Sequence, residues 1–220
     1  MPSFPLVIVA SCVAGSLAAA PSTLLSAPRL GEKTPEEAAV LARQMVADVG
    51  FGSFSTVMRD ESDFGGYPFS SVDLYAEDCS SKTGDLILFL SPLEVNWKNF
   101  DKNNKVSMHI SEKGQDSEKS PDPLFRPRMT ILGSMEKVEE AEEKTVRDCY
   151  MNKHPEAQAW EDMPSHKFSW YRMKVEGVNW IGGFGDKHYI GMIEAAVYRS
   201  AKKGGEEARE EEEKGNVLFV

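Results

Sequence analysis

The stretch Leu88–Ile110, LFLSPLEVNWKNFDKNNKVSMHI, starts apolar, breaks at a serine and a proline, and ends in strict alternation. Its first residues belong to DLILFLS (Asp85–Ser91), an apolar run that reads as a buried strand. The middle, PLEVNWKNFDKN, is too polar for a strand and predicts a short helix starting near Pro92, because proline suits a first helical turn. KVSMHISE (Lys105–Glu112) alternates polar and apolar, the period of a half-buried strand. Ser91 at the strand end, free backbone N–H groups at the helix start and the nearby Lys98 are together what a phosphomonoester needs. The plainer reading makes Lys98 a surface lysine.

The same two periods recur on either side. TPEEAAVLARQMVADVG predicts a helix with Thr34 as N-cap, Pro35 in its first turn, Glu37 closing a capping box and Gly50 ending it. Gly52–Asp60, Pro68–Glu77 and Arg128–Glu139 read as further strands, the last with Gly133 as a bulge. Glu139–Pro155 is a helix with acids first and bases later, as the helix dipole prefers. KFSWYRMKVEGVNWIGG (Lys167–Gly183) supplies one or two strands, and Ile193–Lys203 a closing short helix. Residues 113–127 form a polar, proline-bearing loop. The pattern is roughly six alternating strands with few helices between them, not β-α-β-α, which argues against a Rossmann sheet and for a small antiparallel barrel with helices packed outside.

Composition narrows the function. The chain has 220 residues, 41% hydrophobic and 27% charged, with a net charge of −10. An acidic chain lacks the basic footprint that nucleic acids and anionic lipid surfaces require, so neither is expected as a partner. Residues 1–18 read as a secretory signal, with Ser16 and Ala18 suited to the cleavage site, and 19–33 as a linker. The first basic residue is Arg29, and the Ser-rich PSTLLSAPRL keeps a two-step plastid address open. Residues 201–220 read as a solvated acidic tail. Beyond the signal, Cys79 and Cys149 suit either one disulfide in an oxidising compartment or two buried thiols.

Catalytic motifs are sparse. GGFG (Gly182–Gly185) lacks the spacing of a dinucleotide loop and reads better as a bend where backbone comes close to something else. His109, His154, His166 and His188 are scattered, without metal-ligand spacing, so no metal site is expected. His109, between Met108 and Ile110, reads as a core or barrel-lining histidine. No nucleophile motif occurs, and the abundant carboxylates fall on solvated faces.

Four segments in order resemble one family. GYPFSSVDLYA (Gly66–Ala76), LFLSPLEVNWKNFDKNNKVSMHI, DPLFRPRMTILGSMEKV (Asp122–Val138) and NWIGGFGDKHYIGMI (Asn179–Ile193) are similar to segments of the FMN-binding split-barrel proteins related to pyridoxamine 5′-phosphate oxidase. Within these the chain looks most like the secreted CREG branch and the related bacterial haem-utilisation branch. The resemblance runs from about residue 34 to 200. It implies a six-stranded antiparallel split barrel that forms a homodimer with flavin sites shared between subunits. By motif position it implies FMN contacts from Ser70, Ser71, Ser91, Asn96, Lys98, Asn99 and Arg128, with Lys98 and Arg128 meeting the phosphate. Two departures stand out: Asn96 where the bacterial pattern has histidine, and Trp97 where it has a small residue.

Three functions follow from the resemblance. One is an FMN-dependent oxidoreductase. A second is a non-catalytic CREG-like binding module with an obstructed flavin site. The third is haem binding or degradation, for which His188 is the candidate ligand.

Overall fold

The computed structural model describes residues 34–111, 122–185 and 188–202. The expected signal, the linker, most of the 113–127 loop and nearly all of the acidic tail lie outside the described residues.

Helix α1 (Pro35–Val49) begins with the expected capping box: the Glu37 N–H donates to the Thr34 hydroxyl, and the Thr34 N–H donates to the Glu37 carboxylate at 3.0 Å. Gly50 ends it with φ 78°, a left-handed conformation suited to glycine. The strands follow as β1 (Phe51–Val57), β2 (Pro68–Leu74), β3 (Ala76–Glu77), β4 (Leu86–Leu90), β5 (Lys105–Ser111), β6 (Arg128–Lys137), β7 (Ser169–Ile181) and β8 (Ile190–Glu194). The helices are α2 (Val95–Phe100), α3 (Glu140–Lys153), α4 (Gln158–Glu161) and α5 (Ala195–Ser200).

All pairings are antiparallel, in the order β2-β1-β5-β6-β7-β4-β3, with β8 also on β7. The eight strands exceed the expected six for two reasons. The run Pro68–Glu77 breaks at Tyr75, whose N–H donates to Gly50 O, and the chain passes from β1 to β4 as partner. Ile190–Glu194 also pairs, along the second half of β7. The first half of that long strand pairs with β4 instead, so β7 carries the sheet around its curl. The expected bulge is present: the β6–β7 register shifts between Leu132 and Gly133, where a Cβ would lie 2.2 Å from Lys174 O. This curled antiparallel sheet with outer helices is a split barrel.

Two apolar clusters flank β4, which explains its unbroken apolar run. Leu86, Leu88 and Leu90 join the main core with Phe54, Met108, Ile131, Val178, Trp180 and α1. Ile87 and Phe89 point the other way, against Val146 and Tyr150 of α3 and Trp170 of β7. A disulfide joins Cys79, after β3, to Cys149 of α3, Cα–Cα 5.9 Å, tying that second layer to the sheet.

Candidate functional site

Of the seven residues singled out by resemblance, Ser71, Asn96 and Asn99 meet in one network around Thr56, and Ser70, Ser91, Lys98 and Arg128 lie outside it. Ser91 is buried and serves its own turn: its hydroxyl donates to His166 O at 2.5 Å and accepts from Leu93 N–H at 3.2 Å. The Ser91 N–H donates to the Glu94 carboxylate at 2.7 Å. Asn96 and Asn99 face inward. Asn96 Nδ2 donates to Ser71 Oγ at 2.8 Å and Phe54 O at 3.2 Å, and its Oδ1 accepts from the Thr56 hydroxyl at 2.8 Å. Asn99 Nδ2 donates to Thr56 Oγ1 at 2.9 Å, and its Oδ1 accepts from Arg59 N–H. This network braces α2 against β1 and β2. Trp97 also turns inward and donates to Tyr171 Oη at 2.7 Å.

The two cations stand apart. Lys98 Nζ donates to Leu93 O at 3.1 Å on its own helical segment, while Arg128 Nη1 donates to Leu124 O at 2.9 Å and holds the 122–127 loop. Ser70 and Ser71, adjacent on a strand, point to opposite faces. Both are exposed, but Ser71 bonds Asn96 on the α2 side, while Ser70 lies opposite Ser55 on the other face.

Two carboxyl groups that motif reading passed over dominate the start of α2. Burial pushes Asp73 up to about 6, against hydrogen bonds from Asn96 and Ser71 that act to lower it. Burial pushes Glu94 up to about 7, opposed by the Ser91 N–H and aided by the negative charge of Asp73. Charge of this sign repels a phosphate. Period-two alternation puts Asp73 on the Ser71 side of β2, which could have flagged it.

The opposite face of the sheet is open. One cross-strand row runs Val72–Ser53–His109–Thr130–Asn179–Met192, and the next Ser70–Ser55–Ser107–Leu132–Gly177–Glu194. Val72 is 70% exposed, Met192 50% and Leu132 42%. His109 corrects its expected place: Met108 and Ile110 fill the core, and the imidazole between them projects outward. His109 Nδ1 lies 3.2 Å from the Thr130 hydroxyl, and Nε2 has no partner among the described residues. Burial and the nearby Arg128 guanidinium hold its pKa below the usual value, which keeps the ring neutral.

The first two glycines of GGFG prove to be places of close approach, while Gly185 has open space around it. A Cβ on Gly182 would lie 2.9 Å from His188 Cβ, and one on Gly183 (φ 153°) 3.1 Å from the His188 ring. Phe184 packs on Phe125 with ring centroids 4.9 Å apart. Arg128, Ile181 and Ile190 are in register, so this loop and His188 sit at the same end of the sheet as Arg128.

The family model for the CREG beta-barrel matches residues 33–200. The chain belongs to the CREG beta-barrel family. Among curated proteins it is 31% identical over 118 residues to the non-canonical heme oxygenase HOZ, chloroplastic, of Arabidopsis thaliana, a match covering 54% of this chain. The chain spans only 33% of the length of that relative. Among solved structures, a heme binding protein from Mycobacterium smegmatis superposes with a TM-score of 0.63 at 23% identity, over 76% of this chain and 61% of the other. A protein of unknown function from Agrobacterium tumefaciens superposes with a TM-score of 0.59 at 20% identity, over 74% and 60%. At these identities the structures establish the shared fold.

Within this CREG barrel, the start of α2 does not fit a flavin phosphate. Its asparagines are satisfied internally, its acidic groups are the carboxyls of Asp73 and Glu94, and Arg128 stands on the open face rather than at α2. The open face does fit a flat apolar ring bearing carboxylates. It offers an oriented neutral imidazole, a guanidinium and apolar side chains.

Proposed function

We propose that this chain is a haem-binding split-barrel protein that works as a homodimer across its open sheet face. One observation carries the reading: His109 stands outward on that face, its Nδ1 engaged by Thr130 and its Nε2 turned to no other group described. A second nitrogen fixed in this way is how proteins orient an iron-ligating histidine. Arg128 would meet a propionate, and Val72 and Met192 would pack on the ring. Bound haem would supply redox and oxygen chemistry at its iron. The haem-related names of the relatives agree with this reading. The exposed apolar residues of the cross-strand rows support a second copy as the cover of this face.

FMN, implied by the resemblance, draws less support because its phosphate finds no cationic pocket at α2. The disulfide supports an oxidising compartment, in line with secretion. The chloroplastic relative supports the plastid alternative, and residues 1–33 fused to a fluorescent protein would separate the two.

Haem titration followed by absorption from 300 to 700 nm tests the main proposal. The wild type is expected to give a shifted Soret band at stoichiometric haem. His109→Ala is expected to weaken binding at least tenfold and alter the band, and Arg128→Gln to weaken it several-fold. A band abolished by His188→Ala but unchanged in His109→Ala would move the ligand to the closing loop. Protein that ignores haem but retains added FMN through desalting would overturn the proposal in favour of the flavin reading.

A further inference from the structure

Beside β2, at the edge of the sheet, lies a cavity of ≈ 360 Å³ bounded by β2, the start of α2, α3 and the α4 segment. One wall is aromatic. Phe89 and Phe168 stack at 4.9 Å and 26°, and Trp160 continues the stack against Phe168 at 24°. Val72, Leu74 and Met163 add aliphatic surface. The other wall carries Asp73 and Glu94. Among the described residues neither carboxyl has a salt bridge to a lysine or arginine. Two carboxyl groups lining a concave site together with an apolar aromatic wall are the chemistry of an amphiphilic cation's recognition: the carboxylates accept hydrogen bonds from an ammonium group, and the rings cover its hydrocarbon part.

We propose that this cavity binds a small alkyl- or arylalkyl-ammonium ion, its charge between Asp73 and Glu94 and its hydrocarbon part against Phe89, Phe168 and Trp160. The volume suits a ligand of this size. The site uses neither His109 nor Arg128, and only Val72 borders both it and the open face. It also gives Asp73 and Glu94 a role, because two half-buried carboxyls without a countercharge otherwise oppose each other.

The other titratable groups at the cavity agree. Burial, Asp73, Glu156 and Glu94 all raise the Tyr150 phenol, so it stays neutral at every working pH. His166, whose Nδ1 lies 3.2 Å from the Ser165 hydroxyl, would oppose a cation only when protonated. Both carboxyls release protons more readily with an ammonium ion between them, so binding strengthens as pH rises from 5 to 8 and expels protons near pH 6.5.

The test is calorimetric titration of the full chain with 2-phenylethylammonium and with its neutral isostere, 2-phenylethanol. The ammonium ion is expected to bind at least tenfold tighter at pH 7.5. Its heat at pH 6.5 should vary between buffers of different ionisation enthalpy. Asp73→Asn with Glu94→Gln should erase the preference for the cation while leaving haem binding unchanged. Equal affinity for the two probes, or a preference that survives the double substitution, would overturn the proposal. If the double variant lacks the wild-type circular dichroism spectrum, the wild-type pH profile decides: a flat affinity between pH 5 and 8 refutes it.

Discussion

Strand β1 presents Thr56 on one face and Ser53 and Ser55 on the other, with asparagine, serine and threonine neighbours on both sides. Composition does not distinguish the two groups. On the inner face Thr56, Asn96, Asn99 and Ser71 meet each other, and their donors and acceptors are matched within the chain. On the outer face Ser53, Ser107, His109 and Thr130 line an open surface, and His109 keeps a nitrogen for something else. Matched polar groups hold an architecture together, whereas unmatched ones at an open surface are available to a ligand.

The contrast can be broken most severely from the inner side. The Cys79–Cys149 bridge closes a loop with a sequence separation of 70, worth about 4 kcal/mol in the chain-entropy account. Reduction, or Cys79→Ser with Cys149→Ser, should lower the unfolding free energy from urea denaturation by that amount. Unchanged denaturation curves with and without reductant would show that the bridge does not form.

Asn96→Ala comes next. It strips partners from the Thr56 hydroxyl, Ser71 Oγ and Phe54 O together, and should cost about 2–3 kcal/mol. Haem affinity should stay within about twofold. A variant of native stability that has lost its ligand would reverse the assignment of the two faces.

The acidic pair gives a smaller and pH-dependent effect. Asp73 and Glu94 sit above their ordinary values, at about 6 and about 7. Between pH 4 and 7 the folded state therefore holds protons that the unfolded state has released, and this part of the stability falls as pH rises. Asp73→Asn with Glu94→Gln should raise the melting temperature at pH 8 by a few degrees, on the order of 1 kcal/mol, and leave it nearly unchanged at pH 4. A gain equal at both pH values would mean that ionisation is not the cause.

His109→Ala should have the smallest effect on stability, within about 0.5 kcal/mol, because the side chain is exposed. Its effect should appear in the haem spectrum alone. If the proposed dimer forms across the open face, Leu132→Glu should make the protein sediment as a monomer without lowering the melting temperature.

Much of the fold is legible in local pattern. The capping box at Thr34 and Glu37, the bulge at Gly133 and the strand–helix–strand around Ser91 follow from residues close in sequence, because helix ends, bulges and strand faces are short-range chemistry. The break at Tyr75 was not legible, since it depends on Gly50 O and β4 as partners far along the chain. The site was less legible still. Ser70 and Ser71 look equivalent in a motif, yet one pleat turns Ser71 to Asn96 and Ser70 to the opposite face.

The sequence by itself determined most of the strands, the capping box of α1 and the family, because periodicity and turn chemistry are written residue by residue. Only the tertiary structure decided which polar residues are occupied. Asn96 and Asn99 found buried partners more than thirty-five positions away, at separations of 40 and 43 for Thr56, while His109 turned out of a core that its neighbours Met108 and Ile110 had made apolar. Hydrogen-bond satisfaction is set by the groups that folding brings together, and these were distant in the chain.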